Sequence, residues 1–449
     1  MTGDVERGLM DCGGIVAGPV SKRQRVEFRG SGEDKISNLP GELITRILLL
    51  LPTHDVARTS ILSKFWRNIW CMHPFLALDT QFFLQLASKI EKCTFRSEFT
   101  KVFNMILSSH TGPIFYFYLY ITPAIRYCYH SWINQLSGKG LRTVNFLFEE
   151  KGATELSPAL FGFPELTMLR LFNMAVAPSF KSGSFTSLTI VQLVNTSIIH
   201  DMTFGKQLKY LHLQCCEGIE RLARQFRKGN NLQGLFIAKS TKFEWQWLQC
   251  TRKLRYLGLV FTAANSEIRK VHDLIKLLGE TPTLSRLILD GPTLKVLGPP
   301  PLNVSRPTAK AVNLRSLTLF WLKSHELCQF SRVAYLIRSF PHLQDLCIQL
   351  ELDQVKSLSP TELTTEQYLG SLDWKDMFLD QLQTVKIKGA VDSRYVLCFI
   401  KHLLASSPSL KGISVFCSTK STDTKEKLRI EQELQQFPRL SLDAQIIWC

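Results

Sequence analysis

The sequence predicts an α+β chain, in which a small all-helical module is followed by an irregular α/β repeat solenoid. Two observations carry this prediction. Apolar residues recur at helical spacing between prolines in residues 34–79. From residue 141 onward, a short pattern that begins with leucine returns eleven times, as it does in repeat proteins. The chain is long enough for both parts, since 45% of its 449 residues are apolar and 20% are charged, an ordinary globular composition.

A glycine-rich segment precedes both parts. Residues 1–33 lack periodicity and have no apolar core of signal-peptide type, so we expect a flexible tail. The short basic run from Lys22 to Arg25 is a candidate nuclear import signal. The longest apolar stretch, 113–125, has thirteen residues, which are too few to span a bilayer. We therefore expect an intracellular protein of the nucleus and/or cytoplasm, with no membrane partner.

Three short helices are expected in residues 34–79. Pro40 suits a helix start, where its missing N–H costs nothing, and Pro52 should end that helix. Thr53 and Ser63 are then placed to cap the second and third helices. The apolar residues of the first helix and the two tryptophans of the third are Leu43, Ile44, Ile47, Leu48, Leu51, Trp66 and Trp70. So small a unit should bury its surplus apolar surface on a partner or a neighbouring domain.

This segment closely resembles the F-box in its plant form. The matching residues are Leu39-Pro40-x-Glu42, the run from Ile47 to Leu51-Pro52, the stretch from Asp55 to Lys64, and Trp66 with Trp70. Many relatives carry a basic residue in place of Phe65, a departure that should adjust packing without abolishing docking.

The resemblance implies binding to a Skp-family adaptor and, through it, to a cullin–RING ubiquitin ligase. Carried over by position, it implies that the adaptor contacts are Leu39, Pro40, Ile47, Leu48, Leu51, Leu62 and Trp66. The alternative is a plain helical hairpin whose tryptophans fill its own core.

The recurring pattern is a leucine, two residues, an aliphatic residue, one residue and a further apolar residue. Its first leucines are Leu141, Leu166, Leu188, Leu208, Leu232, Leu254, Leu284, Leu314, Leu343, Leu382 and Leu410. This period and pattern are those of leucine-rich repeats, each a short strand with a return segment. The usual Asn or Cys after the strand is present only as Cys216, with Thr196, Ser240 and Thr262 as small polar substitutes.

The return segments should differ along the array. Short intervals predict irregular or 3₁₀ returns, whereas longer ones have room for helices over 267–279, 330–340 and 396–404. The stretch from Gly291 to Asn313 holds five prolines and predicts an inserted loop.

Strand positions between the aliphatic residues should face outward on the concave side. There we expect target-binding residues: Arg170, Gln192, Tyr210, His212, Phe236, Tyr256 and Arg286. A mixture of aromatic and basic side chains suits protein recognition.

The positive charge is concentrated in the same region. The net charge of the chain is +16, and fourteen bases against five acids give residues 206–276 +9. This indicates a docking face for an acidic target, or a solvated basic surface. Nucleic acid is an unlikely partner, because no recognised binding module accompanies the charge.

The C-terminal stretch is similar to the FBD domain of plant F-box proteins. The similarity lies in 382–389, the helical segment 395–404, Ser407-Pro408-Ser409-Leu410 and Phe437 to Ser441. The complete organisation is therefore a tail (1–33), an F-box (34–79), a linker or N-terminal cap of the solenoid (80–140), leucine-rich repeats (141–370) and an FBD-like unit that continues the solenoid (371–449).

No enzymatic chemistry is indicated. Nucleotide-binding, metalloprotease and nucleophile-elbow motifs are missing, and no C-x-x-C pair occurs among twelve cysteines. His212, Cys215 and Cys216 make a poor zinc site without a fourth ligand nearby. We expect no catalytic residue, metal or cofactor. The function expected is substrate recognition in an SCF-type ubiquitin ligase, and the alternative is a ubiquitin-independent scaffold or nucleic-acid-associated protein that uses the basic repeats.

Overall fold

The computed structural model divides into two compact units, residues 1–48 and 49–449. It describes residues 35–91, 94–151, 154–176, 185–201, 203–227, 230–240, 243–244, 246–261, 278–279, 281–296, 313–323, 327–351, 379–389, 394–416 and 424–448. The predicted N-terminal tail and most of the predicted helix over 267–279 lie outside these ranges.

The described part of the first unit contains one helix, Gly41–Leu48. It begins directly after Pro40, whose carbonyl oxygen accepts hydrogen bonds from the backbone N–H groups of Leu43 and Ile44. The helix ends four residues before Pro52, so the expectation that Pro52 ends it was wrong. Ile44 and Leu48 are buried, whereas Leu43 and Ile47 are exposed.

The second unit opens with the helices Thr53–Thr59 and Lys64–Cys71. Ser63 caps the latter as predicted, because its hydroxyl accepts from the backbone N–H of Trp66 at 3.2 Å. The prediction that Thr53 caps the former was wrong. Pro52 is in the cap position, and Thr53 is the first helical residue. Its hydroxyl instead accepts from the backbone N–H of Ala77 at 3.1 Å, which ties this helix to the first strand.

The rest of the second unit is built on a parallel sheet of fourteen strands. In chain order the strands are β1 (Phe75–Leu78), β2 (Tyr116–Ile121), β3 (Thr143–Phe148), β4 (Met168–Phe172), β5 (Ala175–Val176), β6 (Ile190–Val194), β7 (Ser197–Ile198), β8 (Tyr210–Gln214), β9 (Gly234–Ala238), β10 (Tyr256–Val260), β11 (Arg286–Asp290), β12 (Ser316–Leu322), β13 (Asp345–Leu350), β14 (Thr384–Lys388), β15 (Gly412–Phe416) and β16 (Gln445–Trp448). β5 and β7 pair separately, and the others follow one another in sequence order. All eleven leucine patterns coincide with a strand, which confirms the repeat prediction.

Helices or 3₁₀ segments connect many of the strands. The α-helices are Thr80–Ala87, Phe95–Ser109, Tyr129–Gln135, Gln246–Gln249, Gly291–Val296, Leu327–Ser339, Arg394–Ser406 and Thr424–Gln435, and the 3₁₀ helices are Pro158–Gly162 and Ile219–Phe226. The predicted helices over 330–340 and 396–404 are confirmed, as are 3₁₀ returns in early repeats. The expected loop from Gly291 begins instead as a helix, because Asp290 accepts a hydrogen bond from the backbone N–H of Thr293 at 2.9 Å and caps it.

The interior lies on one side of this sheet. Paired aliphatic positions such as Leu169 and Leu171 are fully buried, and complete burial of such a side chain contributes about 2 kcal/mol.

Behind the strands, small polar residues replace the expected asparagine. The Thr196 hydroxyl donates to the carbonyl of Val194 at 3.0 Å, and the Ser240 hydroxyl accepts from the backbone N–H of Cys216 at the same distance. Their burial is possible because these polar groups are hydrogen-bonded.

Candidate functional site

In the first unit, the predicted adaptor contacts differ in exposure. Pro40 and Ile47 are exposed, Leu39 is partly exposed, and Leu48 is buried with 2% of its surface accessible. Leu43, which was not among the predicted contacts, is 44% exposed. An exposed leucine one turn from Ile47 on the same helix extends the apolar surface that the F-box resemblance predicts.

In the second unit, the predicted contacts Leu51 and Leu62 are exposed by 41% and 70%. Three further large apolar residues nearby in the chain are also exposed: Leu50 by 77%, Ile61 by 81% and Phe65 by 45%. Side chains of this kind leave water when a partner covers them, which makes them candidate anchors of an interface.

Trp66 and Trp70 are both buried. The Trp70 ring meets the His110 ring edge-on at 5.4 Å. A ring nitrogen of His110 lies 2.6 Å from the carbonyl oxygen of His73, and burial lowers the pKa of His110 while it lowers that of His73 to about 4. The tryptophan pair therefore fills a core, as the helical-hairpin alternative expects. That alternative does not explain why Leu50, Leu51, Ile61 and Leu62 are exposed. The role of Trp66 in adaptor contact stays a prediction.

The predicted target-binding residues lie on one face of the sheet, opposite the aliphatic interior; we call it the open face. Arg170, Gln192, His212 and Phe236 occupy matching positions on the neighbouring strands β4, β6, β8 and β9. Tyr210, Tyr256 and Arg286 form part of a second row two residues earlier. The structure thus brings the seven residues into two adjacent rows.

Their exposure is unequal. Arg286 is exposed and five others are partly exposed, but Phe236 is 1% exposed. Its ring lies 4.6 Å from that of His212 and covers Gly258, where an added Cβ would come 2.2 Å from a ring carbon of Phe236. Phe236 is therefore a support for the row and is not displayed to solvent.

His212 itself is held by its surroundings. Its Nε2 lies 3.4 Å from the side-chain oxygen of Gln214. Burial lowers the pKa of His212 to about 4, and the positive charge of Arg170 acts in the same direction. The imidazole is consequently neutral near pH 7 and offers recognition by shape and hydrogen bonding.

The comparisons with known proteins can be set beside this geometry. A family model described as the F-box domain matches residues 36–78. An F-box/FBD/LRR-repeat protein of Arabidopsis thaliana is 27% identical over 434 residues, covering 93% of this chain and 99% of the relative. F-box/LRR-repeat protein 13 of the same plant is also 27% identical, with 95% and 99% covered.

The F-box match and the relatives that cover most of the chain support the plant F-box/FBD/leucine-rich-repeat family. A solved internalin of Listeria monocytogenes aligns with 71% of the chain and 76% of its own length, at 12% identity and a TM-score of 0.34. The α+β class and the repeat architecture predicted from the sequence are confirmed.

The FBD-like end of the chain continues the same sheet. β13 pairs with β14 in register, Asp345 beside Thr384, and β15 and β16 extend the ladder. Gly389, directly after β14, has a φ of +115° and lies so close to Leu350 that an added Cβ would come within 3.0 Å of it. Its backbone conformation therefore requires glycine.

The described cysteine and histidine residues do not converge on a metal centre. Cys216 lies in the interior, where its thiol donates to the carbonyl of Leu193 at 3.3 Å and burial raises its pKa to about 12. His212 instead lies on the open face, with its ring against that of Phe236. Within the described ranges, no group of three or more His, Cys, Asp or Glu is arranged to hold a metal ion. Nor does any helix in those ranges have the length and apolar character needed to cross a bilayer.

Proposed function

We propose that this chain is the substrate-recognition subunit of an SCF-type (Skp–cullin–F-box) E3 ubiquitin ligase. The observation that supports it best is an F-box match in which large apolar side chains, Leu51, Ile61, Leu62 and Phe65 among them, are left in water. Burial of such side chains on a Skp-family adaptor would link the chain to a cullin.

The two rows on the open face are the proposed target-binding surface. Arg170, Gln192, Tyr210, His212, Tyr256 and Arg286 would contact the target, with Phe236 fixing the position of His212. Ubiquitin transfer would be catalysed by other subunits, and this chain would act by holding the target near them, in the nucleus and/or cytoplasm.

Adaptor binding is tested with the purified full chain and a purified Skp-family adaptor in a calorimetric titration. Leu51→Glu/Leu62→Glu places two carboxylates where the proposal requires buried leucines. Because an unpaired carboxylate is costly to bury, we expect an affinity loss of about 100-fold or more. Leu39→Ala/Pro40→Ala tests the predicted contacts of the first unit in the same way.

The matched control is Leu84→Glu/Leu442→Glu, which changes two leucines that are 61% and 100% exposed and lie outside the F-box match. It should bind as the wild type does. Equal affinity of the wild type and the Leu51/Leu62 variant, or no binding by either, would contradict the proposal.

A further inference from the structure

A polar cleft lies at the beginning of strands β10 to β13, beside the predicted target-binding rows. Its volume is about 740 Å³, and three of its lining residues are Arg255, Arg286 and Arg315. We call it the arginine cleft. Only Arg286 was among the residues predicted from the sequence.

Backbone hydrogen bonds between three neighbouring chain segments hold the three arginines near one another. The carbonyl of Arg255 accepts from the backbone N–H of Arg286, and the backbone N–H of Arg315 donates to the carbonyl of Ser285, the residue before Arg286. Arg255 and Arg315 thus lie directly before β10 and β12, and Arg286 is the first residue of β11 between them. At about 4.8 Å between strands, the outer two backbones are roughly 10 Å apart. Because all three line the same cleft, their long guanidinium side chains can converge on one anion.

The backbone of the cleft is prepared for negative charge. The Ser285 hydroxyl donates to the carbonyl of Arg255 at 3.1 Å, and the Thr283 hydroxyl donates to that of Leu254 at 2.8 Å. These carbonyl oxygens lie just before β10 and would repel an anion if they were not hydrogen-bonded. Their hydrogen bonds reduce that repulsion before any ligand arrives.

The positive charge of the cleft is not neutralised from within. In the part of the chain that the structure describes, no carboxylate lies at ion-pair distance from Arg255, Arg286 or Arg315. One carboxylate, Asp345, lines the cleft and accepts a hydrogen bond from the Thr384 hydroxyl. The lining therefore carries three positive charges and one negative charge.

These features favour a phosphate group on a protein over nucleic acid. Arginine binds phosphate through paired, charge-assisted hydrogen bonds. None of the described residues that line the cleft is aromatic, so they offer a nucleic-acid base no ring on which to stack. The cleft spans only the beginnings of four strands, and Asp345 would repel a long polyanion. A single phosphorylated side chain on an extended peptide satisfies all of these conditions.

We propose that the arginine cleft binds a phosphorylated segment of a target protein. This inference rests on the proposed function for its biological meaning, since it names the chemistry of the target. The binding itself does not require the adaptor, so each proposal can fail without the other.

The test is a fluorescence-anisotropy titration of the full-length chain with short peptides of randomised sequence around a central phosphoserine. The same peptides with unmodified serine and a single-stranded RNA oligonucleotide are titrated in parallel. We expect the phosphorylated peptides to bind at least about tenfold more tightly than the unmodified ones, as one or two charge-assisted hydrogen bonds would provide.

Arg255→Gln/Arg286→Gln/Arg315→Gln should abolish that preference. The control Lys89→Gln/Arg227→Gln/Lys401→Gln removes the same total charge from exposed positions outside the cleft and should keep it. Circular dichroism verifies that both variants are folded. Equal binding of phosphorylated and unmodified peptides, equal loss in both variants, or tighter binding of RNA would overturn the proposal.

Discussion

Gly258 lies in the middle of β10, and the ring of Phe236 on the neighbouring strand covers it. Gly258→Ala would place a Cβ 2.2 Å from a ring carbon of Phe236, so the buried ring must move. Overpacking of this kind costs about 1–3 kcal/mol, and we expect a lower denaturant midpoint together with weaker target capture, because His212 stacks on the same ring.

The control for this prediction is Gly162→Ala, where an added Cβ meets nothing within 4 Å. Its denaturant midpoint should match or exceed that of the wild type. The loss caused by Gly258→Ala should shrink in a Phe236→Leu background, which removes the obstructing ring. An unchanged midpoint for Gly258→Ala alone would show that the ring is not held in this position.

At the scale of the repeat element, several strands are followed directly by a residue with left-handed backbone. Asn173, Asn195, Cys215 and Lys239 have φ values of 61°, 52°, 52° and 50°. The backbone N–H of each donates to the last carbonyl of the following strand. The turn therefore links one repeat to the next, and the side-chain amide of Asn195 adds a 2.7 Å hydrogen bond to that of Asn173.

Asn195 gives a prediction for this turn. Asn195→Ala loses the hydrogen bond and meets the steric cost of positive φ, about 1–2 kcal/mol, whereas Asn195→Gly loses the hydrogen bond alone. The denaturant midpoint should therefore fall further for alanine than for glycine. At Gln192, inside β6, the order should reverse, because glycine weakens an ordinary strand. The same order at both positions would contradict this account.

The sequence predicts those strands and helices in which one face is buried, because burial of one face makes apolar residues recur at a regular spacing. All eleven leucine patterns coincide with strands because each alternation has the aliphatic interior on one side only. β1, β2 and β16 lack the leading leucine pattern and were not predicted as strands. The burial of Phe236 was also missed, because it depends on a glycine in the neighbouring repeat.

At the candidate sites too, a motif predicts particular residues, whereas features that depend on packing between elements were missed. The F-box motif predicted Leu51 and Leu62 as contacts, and both are exposed, but the exposure of Ile61 depends on how the helices pack. Arg255 and Arg315 both follow the first leucine of a repeat. This shared position in the repeat could have predicted the arginine cleft. It was missed because only outward positions within the strands were considered as target contacts.

At the scale of the whole molecule, the sheet sets the distance within the second unit between the F-box helices, which precede β1, and the arginine cleft. β1 follows the helix Lys64–Cys71 closely in the chain, and β10, where the arginine cleft begins, lies seven strand steps further along the sheet. At about 4.8 Å per step, this is roughly 34 Å of sheet. Residues so far apart, without shared partners, usually act independently.

We therefore expect adaptor docking and phosphopeptide binding to be energetically additive. Arg255→Gln/Arg286→Gln/Arg315→Gln should leave the Kd for the adaptor within about twofold of wild type, and Leu51→Glu/Leu62→Glu should do the same for the phosphopeptide Kd. Both constants are measured by calorimetry, with and without a saturating amount of the other ligand. A shift larger than about fivefold in either direction would mean that the two sites are coupled by about 1 kcal/mol, and by thermodynamic reciprocity it would have to appear in both titrations.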